Sequence, residues 1–490
     1  MASPRRSNAE LFLRATSLVF VAGATAPAWS DIQFVPSVAL SSIYVDNFGL
    51  TPPGAPKTGD LIGELDPSVQ FRQQAPDLIS ALDYNLQALW FHDHASMDTT
   101  HSNGRANLSW TPTPVANLFS VDGWVSYIQQ PIDPTQPTNE GNLFAVSNVA
   151  NRLSAYLAPT LRNDFGGFSG LARYSEATSI YSGVTGSSAT TFQNSRTGTA
   201  TANLASNDIQ GLFSWGFDGR HALTTFQSAQ DFRDDRVAAD AGLRVMPTLR
   251  LLATVGAETN ILTSSTSGGL NSAFWAAGFE YAPSTHGSLE ARFGHRFFGD
   301  AYSGRWTLNS RLLSMQILYI EEPTTDAESD SLTTFVPGEI QVDTQAYFGV
   351  LRAVNTYSPY IRKSLDATFS LTGLETQLSL RIYDLRRRYL QIPLQTNLPG
   401  QLQGTNDSTR GGELMLTRQL TPRDKLSLSA RLDYADELDG FFYRDHRYAL
   451  DYTHLLSQTL DAALQAVHLT RDGASQYSAN IYRLTIRKSF

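Results

Sequence analysis

The chain reads as an all-β protein: a transmembrane, antiparallel, up-and-down β-barrel of about 22 strands, with roughly 18–22 the range its turn pattern allows. Three observations carry this reading. Apolar and polar residues alternate with a period of two from residue 33 onward, and the polar faces are too charged and too numerous for one solvent-facing sheet. Connections alternate between short, proline-marked ones and long polar ones. The last segment, 477–490, is an amphipathic strand ending on an aromatic residue.

Composition narrows the function classes. The 490 residues are 41% hydrophobic and 17% charged, and none is Cys. Thiol catalysis, Cys-ligated zinc, a disulfide framework and a lipoprotein anchor are thereby excluded. A formal charge of −9 argues against nucleic acid as a partner.

The N-terminus has Arg5, Arg6 and Arg14, then the apolar run 18–24, then Ala28-Trp29-Ser30. That is the pattern of a secretory signal peptide, so residues 1–30 are expected to be removed after Ser30. No other stretch approaches the ~20 apolar residues of a membrane helix. Residues 31–490 are expected to form one barrel in the outer membrane of a Gram-negative bacterium, with outer-membrane lipid and the barrel-assembly machinery as partners.

The strands follow in order. In 81–90, Leu82, Tyr84, Leu86, Ala88 and Trp90 share a face opposite Asp83, Asn85 and Gln87. In 249–258 an apolar face opposes Arg250, Thr254 and Glu258. In 289–297 Leu289, Ala291 and Phe293 oppose Glu290, Arg292 and Arg296, and 306–312 places Arg311 opposite Trp306 and Leu308. In 425–434 the leucines Leu426, Leu428 and Leu432 oppose Arg431 and Asp433. Prolines 76, 112, 114, 159, 247, 283 and 422 mark the short turns, because proline fixes φ and breaks a sheet ladder. Long connections lie at 51–60, 92–101, 129–142, 263–270 and, longest, at 182–198, 323–359 and 389–410. The long side is expected to be extracellular. The segment 346–357 reads as either a strand or a short helix. Counting back from Phe490, Tyr482, Leu484 and Ile486 share the apolar face. Together with Phe490 they resemble the closing strand that signals barrel assembly, although Lys488 departs from that pattern.

Little in the sequence suggests catalysis, a metal or a cofactor. His92-Asp93-His94 with His101 is the only His-rich patch, and at a strand end it reads as solvated loop. The charged inner faces are the candidate functional set: Arg250, Glu258, Glu290, Arg292, Arg296, Arg311, Arg381, Arg431 and Asp433. Cross-strand ion pairing accounts for most of them, and a cationic track for an anionic solute is the functional alternative. Trp90, Trp110, Trp124, Tyr127, Trp306, Tyr434 and Tyr452 read as interfacial girdles.

Several short segments are less generic. These are Gly256-Ala-Glu-Thr-Asn260, Trp275-x-x-Gly278, Pro283-Ser284, Gly294-His-Arg-Phe-Phe-Gly299, Tyr319-x-Glu321 and Thr324-Thr325, with Tyr44-x-Asp46-Asn47 before them and Arg386-Arg387-Arg388 after. With them the chain resembles the outer-membrane barrels associated with PEP-CTERM and exosortase systems. The resemblance implies a non-enzymatic role in exopolysaccharide export or attachment, with exopolysaccharide and a periplasmic export component as partners. It implies no catalytic residues and no cofactor.

Two other readings remain: a hydrolase with a rim site between His92 and Ser96, and a general or anion-preferring porin or uptake barrel. A TonB-dependent-type receptor carries a plug before its barrel, whereas here strand alternation begins within a few residues of Ser30. So wide a lumen needs a gate. Loop 323–359 is the expected one, with Asp326, Glu328 and Asp330 pairing with Arg292, Arg296 and Arg311.

Overall fold

The computed structural model describes residues 31–490 apart from 113–114, 116–117, 133–135, 138, 147, 184–193, 208–210, 228–230, 263–269, 326–327, 329–358, 391–405 and 437–441. The expected signal peptide, Pro114 and the segment 346–357 lie outside the described residues.

The described residues form 22 strands. They are β1 (Asp31–Val45), β2 (Asp60–Gln74), β3 (Leu78–Phe91), β4 (Thr99–Trp110), β5 (Phe119–Pro131), β6 (Val149–Asp164), β7 (Phe168–Ser182) and β8 (Ser195–Ser206). There follow β9 (Phe213–Phe226), β10 (Phe232–Met246), β11 (Leu249–Leu262), β12 (Leu270–Ser284), β13 (Gly287–Arg296), β14 (Gly299–Asn309) and β15 (Leu313–Thr324). The last are β16 (Tyr360–Thr372), β17 (Thr376–Tyr389), β18 (Asn406–Thr421), β19 (Asp424–Asp436), β20 (Phe442–Leu455), β21 (Leu460–Gly473) and β22 (Tyr477–Ser489). Each strand pairs antiparallel with the next, and β22 returns to β1, from Ser37 opposite Ser489 to Val45 opposite Ile481. The sheet closes on itself as a barrel, so no strand is left as an outer edge, although the β4–β5 and β14–β15 ladders run over only part of their strands.

The period of two decides which way each side chain points. Leu40, Val237, Val255, Leu432 and Leu484 face outward and are exposed. Their neighbours in sequence turn inward, where Asp234, Thr254, Glu258 and Asp433 are buried. An apolar exterior around a polar interior inverts the soluble pattern and suits a bilayer. The protein is an outer-membrane β-barrel, with short turns at one end and long connections at the other.

Pro76, Pro112, Pro247 and Pro422 sit in short turns, and Pro283 sits at the end of β12, where the register shifts. Pro159, expected to mark a turn, lies inside β6 instead. Arg162 N–H donates to Leu118 O, so even residues of β6 bond to β5 and Pro159 faces β7. The β6–β7 ladder skips residues 158 and 159, then resumes in the same register at Thr160 opposite Arg173. One missing N–H thus interrupts one ladder without ending the strand. The turn itself comes after Asp164, where Gly166 takes the left-handed φ of 85°.

Several loop boundaries also move inward, among them the ends of the three longest loops. Residues 195–198 belong to β8, 406–410 to β18, and 323–324 to β15. These strand ends stand above the lipid, where no apolar face is required, so hydropathy does not mark them.

Candidate functional site: the barrel lumen

The inner wall is built from paired charges. On β11, Glu258 is 2% exposed. It accepts hydrogen bonds from Arg296 Nε at 3.0 Å and from the Phe297 N–H at 3.1 Å. Two of the sequence segments singled out above, 256–260 and 294–299, therefore meet at this carboxylate. Beside it, Phe274 packs over Gly256, where a Cβ would fall 2.3 Å from Val237 O and 2.5 Å from the ring. Arg236 and Arg296 lie over that ring at 5.2 and 5.9 Å. Arg220 bridges Asp234 at 3.3 Å and pairs with Glu328.

The other candidate residues fall as follows. Arg292 donates to Glu290 at 2.6 Å and reaches Asp240 at 3.4 Å. Arg250 lies 3.5 Å from Glu280. Arg381 donates to Asp366 through Nε at 3.1 Å. Arg431 pairs with Asp433 at 2.5 Å, and the Tyr383 hydroxyl donates to the same carboxylate. Arg311 is not on a lumen face. β14 ends at Asn309, so Arg311 sits exposed in a short turn, two residues past the last ladder pair of Asn309 with Ser314. Trp124 is not a girdle residue either; it stacks on Tyr156 at 5.9 Å and 14° on the inner face.

The described residues of loop 132–148, between β5 and β6, fold into the lumen. Leu143 and Phe144 are each 1% exposed and pack with Phe48 and Leu50 of loop 46–59 against Ile43, Ile62, Leu89 and Ile481 of the wall. Burying each such side chain contributes about 1.5–3 kcal/mol. Polar contacts fix the register. Ala145 N–H donates to Phe48 O at 3.0 Å, and Gln87 Nε2 donates to Gly141 O at 3.1 Å. Arg447 Nε donates to Glu140 at 2.9 Å, and Arg471 Nη1 to Gln136 O at 2.7 Å. The sequence carried a signal for this: an apolar Leu143-Phe144 pair in a loop otherwise rich in Pro, Asn and Gln has to be covered by something.

For loop 323–359, the described part places Glu328 against Arg220, not against the expected Arg292, Arg296 or Arg311; Arg292 pairs with Asp240 and Glu290, Arg296 with Glu258, and Arg311 lies in a turn. Asp326 and Asp330 lie outside the described residues.

Beside loop 132–148 the lumen holds an open cavity of about 690 Å³, lined by acids and bases together, among them Glu64, Asp83, Arg105, Glu140, Arg447 and Arg483. Arg483 is 3.6 Å from Glu64.

The histidine patch is tied into the rim. His94 Nδ1 bonds the Asp60 carboxylate at 2.8 Å, and its ring stacks on Phe48 at 4.3 Å. His101 Nδ1 bonds Gln129 Nε2 at 2.7 Å. Ser96 is exposed in the short 3-10 turn Ala95–Met97. Among the described residues no three His, Asp or Glu converge as metal ligands.

The chain is similar in fold to solved structures of a transporter and of receptors. It resembles the FrpB iron transporter from Neisseria meningitidis (F3-3 variant) at 10% identity and TM-score 0.48, over 93% of this chain and 81% of that one. It is similar to a mutant of the ferric enterobactin receptor PfeA from Pseudomonas aeruginosa at 10% identity and TM-score 0.44, over 94% and 80%. It is also similar to the siderophore receptor PirA from Pseudomonas aeruginosa, at 9% identity and TM-score 0.41, over 93% and 80%. No family model and no curated protein matches the sequence.

At the seam, Tyr482, Leu484 and Ile486 face outward and are about half exposed, and Phe490 N–H donates to Pro36 O at 2.9 Å. Lys488, the residue that departed from the apolar pattern, donates to Thr459 Oγ1 in the short turn between β20 and β21.

Proposed function

We propose that the barrel is a non-enzymatic conduit for a hydroxyl-rich polymer, the exopolysaccharide that the sequence resemblance implies. One observation supports this reading most: the arginines of the inner wall described above stand beside carboxylates. Such a wall offers dense hydrogen-bond donors and acceptors without a single-sign ring, and rings of one sign are what select ions. Many weak polar contacts suit a long neutral chain that has to enter and also leave. The inward loop 132–148 is the constriction. In planar bilayers wild type is expected to conduct weakly. A variant with Glu140→Ala, Leu143→Ser, Phe144→Ser and Arg447→Ala, which undocks the loop, is expected to conduct several times more, and added exopolysaccharide is expected to occlude that current. Equal large conductance in both proteins, or no occlusion by polymer, overturns the conduit.

A second reading has one observation in its favour. Asp60 orients His94 through Nδ1, which leaves Nε2 for a nucleophile, and Ser96 is two residues on. A serine-reactive fluorophosphonate should then label wild type and not Ser96→Ala. Absence of label removes the hydrolase.

A further inference from the structure

The wall is split between β4 and β5. Their pairing covers only residues 104–110 of β4 with 121–127 of β5. Above Gly104, β4 stays on β3 up to Thr99 opposite Leu89. Above Tyr127, β5 stays on β6 up to Pro131 opposite Val149. The two edges that face each other there carry no ladder.

The sequence of β5 fits an edge. Ile132 N–H donates to Asn148 O at 3.4 Å, so residue 132 bonds toward β6 and residue 131 faces β4. Proline at 131 therefore offers no N–H to the slit. A similar split separates residues 299–303 of β14 from 320–324 of β15. There Thr372 N–H donates to Leu312 O, so even residues of β15 bond to β16 and Pro323 faces β14. Across the β4–β5 slit the described bridge is a side-chain one, His101 to Gln129 at 2.7 Å.

The slit opens into the lumen. The cavity of about 690 Å³ is lined by Asn103, Gly104 and Arg105 from one edge and by Ile128, Gln129 and Pro131 from the other. On the outside, exposed Trp90 lies one residue above the Leu89–Thr99 pair, so the slit begins below an aromatic of the outer interface. Beneath it Leu82, Val125, Tyr127 and Leu153 are buried against one another, with Phe71 and Tyr84 packed on them, and this cluster closes the lower, paired part of the seam. Unpaired backbone at that depth is tolerated only where it lines a polar cavity or meets polar groups.

We propose that this slit is a lateral portal for a glycolipid of the outer leaflet. The sugar head enters the polar cavity and bonds to the free strand edges and to the amide of Asn103. The acyl chains stay outside, on the apolar outer face that carries exposed Trp90 and Leu157. The mixed acids, bases and amides of the cavity suit a hydroxyl-rich head better than a simple ion. The portal does not depend on axial passage of polymer.

The test uses the full barrel in vesicles containing rough lipopolysaccharide. Benzoylphenylalanine at Asn85 reports the cavity, and the same group at Leu157 reports the outer face. Ser102 and Gln129 face each other if the β4–β5 register is continued upward. Ser102→Cys with Gln129→Cys, closed by oxidation or by a bis-maleimide, bridges the slit. Leu108→Cys with Gly123→Cys is the control on the paired part of the same seam. Wild type is expected to photo-crosslink lipopolysaccharide from Asn85. Bridging the slit should lower that yield roughly tenfold, because the free edges no longer open to lipid. Reduction of the disulfide should restore it, and the control pair should leave it unchanged. Undiminished crosslinking after bridging, no crosslink from Asn85 alongside one from Leu157, or equal crosslinking of phosphatidylcholine each overturns the portal. Axial conductance measured on the same bridged protein is expected to stay at the wild-type level, which separates this outcome from failure of the conduit.

Discussion

Asn47 shows how much can depend on one residue. It is 0% exposed, and its Nδ2 donates to Thr51 O and to Ser478 O, both at 3.0 Å. Next to it Asp46 accepts from the Asn480 N–H at 2.7 Å and from Asn480 Nδ2 at 2.6 Å. These two residues clasp β1 to β22. Asn47→Ala leaves buried groups unsatisfied, at a cost of about 1–3 kcal/mol. The heat-modifiable form of the barrel should then convert at lower temperature on a gel, and a wild-type conversion profile would show that the clasp contributes nothing. At Gly256, Ala should drive a Cβ into Val237 O and displace Phe274, disordering the Glu258–Arg296 pair behind it. That is read as reduced barrel yield on refolding into vesicles, whereas Thr254→Ala nearby should refold well. At this scale the sequence revealed which face each charge occupies, because parity is local. It did not reveal which acid meets which base. Glu258 and Arg296 are 38 residues apart in sequence, and their meeting depends on two intervening registers.

At the scale of elements, β19 is the plainest case. Leu428 and Leu432 face outward, 43% and 49% exposed, while Asp433 is 4% exposed within the wall. A charge at the bilayer midplane of the lipid face costs on the order of 2–4 kcal/mol, and far less in the lumen. Leu428→Arg should therefore impair refolding into bilayers much more than Arg431→Leu, and equal losses would place the leucines against a protein core. Strands of this kind were legible because lipid imposes apolarity on alternate residues. The inward loop was less so. Loop length pointed to 323–359, most of which lies outside the described residues, whereas loop 132–148 docks through the apolar content of Leu143 and Phe144. Proline was ambiguous for a physical reason. It removes one N–H, and whether that ends a strand, skips a rung or marks an open edge depends on which neighbour the residue faces, as Pro422, Pro159 and Pro131 show in turn.

At the scale of the whole molecule, location follows from the inverted barrel. The protein should sediment with outer membranes and migrate faster unboiled than boiled, and recovery in the soluble periplasm would be incompatible with this fold. The strand total was readable because short and long connections must alternate when neighbours pair. The order of pairing also has a kinetic consequence. Every ladder but one joins strands adjacent in sequence, so each can form as a local hairpin. The exception is β1 with β22, where Ser41 and Thr485, 444 residues apart, share a hydrogen bond. Each doubling of a closed loop adds about 0.6 kcal/mol of lost chain entropy, so this contact begins about 3 kcal/mol behind a hairpin. Assembly should therefore end with β22 meeting β1, and the slow step of refolding should respond to Asp46 and Asn47 while the hairpins form at their own rate.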